Sequence, residues 1–134
     1  MVDHTPYGIK TKVLLDYEGA ISKVTDELKK EGFGILTEIN VKETLKQKID
    51  VDFRNYIILG ACNPKLAHAT LQAETDIGIL MPCNVIVYED DDGGVVVAAM
   101  NPSAAMGVVG NPEIEPTAKE VTDKLERVIA AMAG

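Results

Sequence analysis

Two β-prone runs joined by a turn limit the fold of this chain more than any other feature. The runs are Cys83–Glu89 and Val95–Met100, and both are rich in valine and other residues that favour strands. The five residues between them, 90–94, are aspartate and glycine only. Both residue types tolerate the positive φ angles that tight turns require. The pattern therefore predicts an antiparallel hairpin.

Three further runs upstream predict strands, each followed by a helical pattern. We expect these strands at residues 7–15, 33–39 and 53–61. Each following helix has a good N-cap residue, and these caps are Asp16, Asn40 and Asn63. The polar side chain of a cap accepts a hydrogen bond from a free N–H group of the first helical turn. The sequence therefore predicts alternating strands and helices for the upstream part of the chain.

The end of the chain predicts further helix. The pairs Asn101-Pro102 and Asn111-Pro112 are plausible helix starts. Beyond them an apolar stripe with helical spacing comprises Ala118, Val121, Leu125, Val128 and Met132. The order β-α-β-α-β-α-β-β-α, with one added short helix, indicates an α+β protein in which one largely antiparallel sheet packs against helices. We expect residues 1–134 to form a single domain, with a core from about residue 7 to about residue 132.

Charge and composition restrict the partners and the location. The net charge is −8, and both phosphate backbones and anionic lipid surfaces are negative, so we expect neither nucleic acid nor a membrane as partner. No apolar run approaches the ~20 residues of a membrane span. Residues 1–6 lack the features of a signal peptide. We therefore expect a cytoplasmic protein, with His4 in a loose N-terminal tail.

Both cysteines lie where a strand meets a loop. Cys62 ends the third predicted strand, Cys83 begins the fourth, and His68 lies on the helix between them. If those strands are antiparallel neighbours, both cysteines lie at the same end of the sheet. Two thiols and an imidazole are ligands that zinc accepts, with a fourth position left open. The spacing thus permits a zinc site at Cys62, His68 and Cys83, although it matches no standard zinc motif.

Two other interpretations of the cysteines stay open. Cys62 precedes a helix N-terminus, which lowers the pKa of a nearby thiol, so Cys62 is the candidate nucleophile or redox thiol. Alternatively, both cysteines are small buried hydrophobic residues, as free cysteines commonly are. In the same way, Met81, Met100 and Met106 are most simply gap-fillers in a core that has no tryptophan and few aromatic residues.

Three polar residues complete the candidate site. Asn63 caps a helix, which explains it without a ligand. Asn84 lies in an apolar strand, and we expect it to be buried and to need partners, either the neighbouring strand end or a ligand. Glu38, at the end of the second predicted strand, is a candidate general base or ligand, although a solvent-facing position is the simpler interpretation.

Four segments resemble the signatures of an uncharacterised prokaryotic family, domain of unknown function 302. They are GFGILTEINVK (32–42), FRNYIILGACNP (53–64) with Leu-Ala-His at 66–68, IGILMPCNV (77–85) and GVVGNP (107–112). The resemblance covers the chain from about residue 7 to about residue 132. It implies a small α+β domain of the TATA-binding-protein-like or a similar sandwich type that forms dimers. It implies no activity.

We therefore expect a cytoplasmic homodimer that binds a small molecule or a metal ion. The expected site comprises Cys62, Asn63, His68, Cys83, Asn84 and Glu38. The alternatives are a thiol-dependent enzyme or redox protein that uses Cys62, and a structural partner protein that binds no ligand.

Overall fold

Six antiparallel strands form one sheet, in the order β1-β2-β6-β5-β4-β3. The computed structural model describes all residues, 1–134. The strands are β1 (Asp3–His4), β2 (Gly8–Val13), β3 (Gly34–Asn40), β4 (Tyr56–Cys62), β5 (Cys83–Glu89) and β6 (Val95–Met100). The helices are α1 (Tyr17–Lys30), α2 (Val41–Ile49), α3 (Pro64–Ala73), α4 (Pro102–Val109) and α5 (Glu115–Met132). Short 3-10 helices span Thr75–Leu80 and Pro112–Ile114. The α+β class with an antiparallel sheet is confirmed.

One face of the sheet packs against α1 and α5 and forms the core. Strand residues alternate between the two faces, so Leu59 on β4 and Val85 and Val87 on β5 point to this side and are fully buried. The apolar stripe predicted for the last helix is confirmed. Its members are all buried: Ala118, Val121, Leu125, Val128 and Met132. The core is aliphatic because the stripe and the strands contribute valine, leucine and isoleucine.

Side-chain caps begin the helices where the sequence predicts them. The Asp16 Oδ1 atom accepts a hydrogen bond of 2.7 Å from the Gly19 N–H group. The Asn40 Oδ1 atom accepts one of 3.1 Å from the Glu43 N–H group. Both bonds satisfy backbone donors of the first turn that have no partner within the helix. The cap residues therefore define where each strand ends and its helix begins.

The prediction that His4 lies in a loose N-terminal tail is wrong. Residues Asp3–His4 pair with β2 as an edge strand, so His4 does not lie in a loose tail. The His4 Nε2 atom is 2.7 Å from Glu126 Oε1 on α5, which holds the segment against the last helix. A strand of two residues has no periodicity that a sequence pattern could detect.

None of the helices combines the length and the apolar composition needed to cross a membrane.

Gly60, in the middle of β4, allows two neighbouring segments to approach the strand closely. A Cβ atom at this position would overlap the Thr37 hydroxyl on β3 and would lie 2.8 Å from the Pro82 Cγ atom. Pro82 directly precedes Cys83, the first residue of β5. The missing side chain of Gly60 therefore lets the entrance of β5 lie flat against β4, which sets the position of Cys83.

Replacing Gly60 should therefore destabilise the protein. Gly60→Ala should lower the free energy of unfolding by roughly 1–3 kcal/mol, because the added methyl group has no room. Gly34→Ala is the matched control in β3, since a Cβ atom there would meet nothing within 4 Å. Urea unfolding of both variants checks this. Equal stabilities of the two variants would contradict the close packing at Gly60.

Candidate functional site

The pairing of β4 with β5 brings the two cysteines to the same end of the sheet. Ala61 pairs directly with Cys83, and Cys62 is the next residue of β4. Neighbouring strands lie about 4.8 Å apart, so the two cysteines are diagonal neighbours across one strand boundary. Both are free thiols. The predicted juxtaposition of Cys62 and Cys83 is therefore present in the structure.

A cavity of about 50 Å³ lies beside these strand ends. The ends of β4 and β5 and the helices α3, α4 and α5 line it, and eleven of its fifteen lining residues are hydrophobic. No lining residue is charged. Four sulfur-containing side chains line it: Cys62, Cys83, Met81 and Met106. The cavity is thus apolar and rich in polarisable sulfur.

The polar residues of the cavity wall already have hydrogen-bond partners. The Asn63 Oδ1 atom accepts a bond of 3.4 Å from the Leu66 N–H group, and its Nδ2 atom donates one of 3.3 Å to the Glu31 carbonyl oxygen. The Thr70 hydroxyl donates a bond of 2.8 Å to the Leu66 carbonyl oxygen. Asn63 therefore caps α3 and ties it to the end of α1, so that both its amide oxygen and its amide nitrogen are engaged within the protein.

The Cys83 thiol is held in its neutral form. Burial, and secondarily the neighbouring Cys62, raise the pKa of Cys83 from 9.0 to about 11. Burial does so because a thiolate loses more hydration than a thiol when it is removed from water. At neutral pH Cys83 is therefore a weakly polar wall of the cavity and a poor nucleophile.

His68 does not join the two cysteines. Leu66, Ala67 and Thr70 on α3 line the cavity, whereas His68 is exposed and lies outside it. Each helical residue turns by about 100°, so position 68 falls on the side of α3 opposite to positions 66 and 70. Nowhere in the structure do three His, Cys, Asp or Glu side chains group in a way that could hold a metal ion. The structure does not assemble the zinc site predicted at Cys62, His68 and Cys83.

Asn84 and Glu38 also lie away from the cavity. Asn84 is exposed, which corrects the expectation that it is buried. It follows Cys83 in the strand and so points to the opposite face of the sheet. Glu38 is exposed on the edge strand β3, opposite Leu59 of β4. Of the six predicted site residues, the structure brings only Cys62, Asn63 and Cys83 together.

Several cavity residues were not predicted as site residues. The sequence predicts Met81 and Met106 only as core gap-fillers, and it does not mark Thr70, Ala67 or Ala118 as site residues. The helical spacing of positions 63, 66, 67 and 70 was a usable signal, since these residues share one face of α3. Nothing local indicated that α4 and α5 would close the other side of the cavity.

Comparisons with known proteins identify a family and a similar solved structure. A family model described as "Domain of unknown function DUF302" matches residues 9–132. The crystal structure of an uncharacterized conserved protein DUF302 from Bacillus stearothermophilus is similar, with a TM-score of 0.87 and 26% sequence identity. The match covers 93% of this chain and 97% of that chain. No curated protein matches the sequence.

Because the pKa of Cys83 is raised, we expect the protein to lose stability at alkaline pH. The folded protein retains the thiol proton more tightly than the unfolded chain, so this stabilisation is fully present below pH 9.0 and is lost as the pH rises towards about 11. Between pH 8 and pH 10 the free energy of unfolding should therefore fall by about 1 kcal/mol more in the wild type than in Cys83→Ala. Urea unfolding at both pH values measures the difference.

Cys62→Ala is the matched control for this measurement. It should retain most of the alkaline loss, because burial is the larger cause of the Cys83 shift. Tyrosine and lysine titrations occur in all three proteins and cancel in the comparison. If the free energy of unfolding falls equally with pH in the wild type and in Cys83→Ala, the Cys83 thiol titrates in the folded protein as it does in the unfolded chain.

Proposed function

The chain belongs to the DUF302 family, and we propose that it is a binding domain that takes a small, uncharged, apolar ligand into the cavity beside Cys62 and Cys83. The observation that carries the proposal is the apolar, sulfur-rich wall of that cavity. An uncharged ligand loses little hydration free energy when it enters a cavity with such a wall, whereas an ion would lose much more hydration free energy. Polarisable thiol and thioether groups add dispersion contacts to an apolar ligand.

The hydrogen bonds of the wall support the same ligand class. Asn63 and Thr70 are engaged within the protein, and Cys83 is held protonated by burial. A polar ligand would therefore find few hydrogen-bond partners in the wall, which costs free energy. The cavity selects against polar molecules as well as for apolar ones.

The volume limits the size of the ligand. An engineered apolar cavity that accommodates benzene measures about 150 Å³. The present cavity, of about 50 Å³, is about a third of that size. The ligand is therefore smaller than benzene, or only the apolar end of a longer molecule enters.

A soft metal ion is the second candidate, because four sulfur side chains line one cavity. Thiol and thioether ligands favour monovalent copper. Zinc fits less well, since no imidazole or carboxylate is available to complete a set of four around the two cysteines. The enzyme alternative retains one argument, because Cys62 is a free thiol that lies directly before the N-terminus of α3.

Xenon is a suitable probe for the apolar site, because it is uncharged and small enough for the cavity. We expect xenon to shift the NMR signals of the Met81, Met106 and Ala118 methyl groups in a saturable manner. Ala67→Leu should abolish these shifts by filling the cavity. Ala69→Leu is the matched control, because Ala69 is on the same helix but exposed and outside the cavity.

The outcomes separate the candidates. Equal xenon shifts in Ala67→Leu and the wild type would contradict the apolar site. If xenon fails to bind but monovalent copper binds at one equivalent, and Cys62→Ser and Cys83→Ser each abolish this binding, the metal candidate replaces the apolar ligand. Fast alkylation of Cys62 by iodoacetamide at neutral pH, with Cys83 unreactive, would favour the thiol enzyme.

We further propose that the protein is a cytoplasmic homodimer. Two free thiols suit a reducing compartment, and the net charge of −8 argues against nucleic acid as a partner. The outer edge of β3 supports the dimer, since this seven-residue strand has a neighbour on one side only. Its Leu36 and Ile39 side chains are 66% and 47% exposed, which is costly for apolar groups in a monomer.

Charged substitutions on the β3 edge should dissociate this dimer. We expect a dimeric mass by light scattering for the wild type and a shift to monomer for Leu36→Lys combined with Ile39→Lys, because burying two ammonium groups at an interface is unfavourable. Leu14→Lys is the control, since Leu14 is 91% exposed and not on β3. A monomeric mass for the wild type across a wide concentration range would overturn the proposal.

A further inference from the structure

The face of the sheet opposite α1 and α5 carries a second, larger cleft of about 740 Å³. This volume lies within the range of about 300–1,000 Å³ that is typical of small-molecule sites. Ile86, Ala98 and Met100 contribute to its apolar floor, and Ala104 and Val108 of α4 form part of its wall. Ile86 and Asn84 alternate with the core residues of β5, so the cleft is separated from the sulfur-lined cavity by the sheet.

Tyrosine side chains line this cleft. Tyr56 of β4 pairs with Tyr88 of β5, and their rings stack at 5.4 Å between centroids with an interplanar angle of 12°. Burial raises the pKa of the Tyr56 phenol, and the neighbouring phenols of Tyr88 and Tyr7 raise it further. The three phenols thus lie close enough to interact, and they offer a flat apolar surface with polar tips.

The charge of the cleft is opposite to that of the protein. The chain has 21 acidic residues, yet none of the sixteen residues that line the cleft is acidic, and Lys10 is the only charged one. Lys10 takes part in none of the ten salt bridges in the structure. Asp3 faces Lys10 in the register of β1 with β2, but it is exposed, forms no ion pair with Lys10 and does not line the cleft.

We propose that this cleft binds a small organic carboxylate with an apolar body. The carboxylate pairs with the Lys10 ammonium group, and the body packs on the Tyr56–Tyr88 stack and the apolar floor. An ammonium group that has no carboxylate partner within the protein favours an anion over a neutral molecule of the same shape. The floor and the aromatic rings favour an apolar body over a small inorganic anion.

Pairs of molecules that differ only in charge test the proposal. The probes are 2-naphthoate and octanoate, with 2-naphthalenemethanol and 1-octanol as their neutral counterparts. Titrations followed by amide NMR shifts should show saturable binding of the carboxylates at Asn84, Ile86 and Ala98. The alcohols should bind about tenfold or more weakly, the typical effect of losing one charge-assisted hydrogen bond. A preference for 2-naphthoate over octanoate would identify the aromatic class, and the reverse preference the aliphatic class.

Three variants locate the charge recognition. Lys10→Gln should remove the difference between carboxylate and alcohol. Lys12→Gln is the matched control on the same strand and face, because Lys12 pairs with Asp90 and Asp92 and lies outside the cleft. Asp3→Asn should leave carboxylate binding unchanged or strengthen it, because it removes the carboxylate that faces Lys10 across the strands.

Three results would overturn the proposal. The first is equal affinity for carboxylates and alcohols, and the second is an unchanged preference in Lys10→Gln. The third is that the carboxylates cause no saturable shifts, while the amide protons of the cleft become protected from exchange as the protein dimerises. That result would assign the cleft to a second copy of the chain.

Discussion

The register of β4 with β5 determines where the two thiols and Asn84 lie. Ala61 pairs with Cys83, and this places both thiols at one end of the sheet and Cys83 on the side of the helices. Because side chains alternate along a strand, a slip of one residue would move Cys83 to the open face and Asn84 into the core. The buried Val85 and Val87 of β5 oppose such a slip, since it would turn both of them to the open face.

The sheet separates two concave surfaces of different chemistry. On the helix side, three helices and two strand ends line a small uncharged cavity whose polar side chains Asn63 and Thr70 already form hydrogen bonds within the protein. On the open side, a larger cleft combines stacked tyrosines with an ammonium group that has no ion-pair partner. The first surface is therefore the basis of the proposed apolar site, and the second is the basis of the proposed carboxylate site. Two residues that are adjacent in sequence, Cys83 and Asn84, belong to different surfaces.

Two glycines, Gly60 and Gly32, allow the close packing around the cavity because they have no side chain. Gly60 lets Pro82 and Thr37 close over β4 at the point where β5 begins. Gly32, with φ of 85°, ends α1 in a left-handed conformation, and a Cβ atom there would lie 2.8 Å from the Asn63 Nδ2 atom. The cap of α3 and the entrance of β5 both depend on these glycines, and both form part of the cavity wall.

The local pattern of the sequence determined the elements, because hydrophobic period, turn chemistry and capping act within a few residues. The β5–β6 hairpin, the caps at Asp16, Asn40 and Asn63, and the buried stripe of α5 were all predictable in this way. Even the meeting of Cys62 and Cys83 followed from a single assumption about strand pairing. The rest was decided by tertiary structure. The rotation of α3 turned His68 away from the thiols, and the packing of α4 and α5 brought Met106 and Ala118 to the cavity. Such contacts join residues far apart in the chain, so their geometry depends on how the helices pack and not on any local pattern.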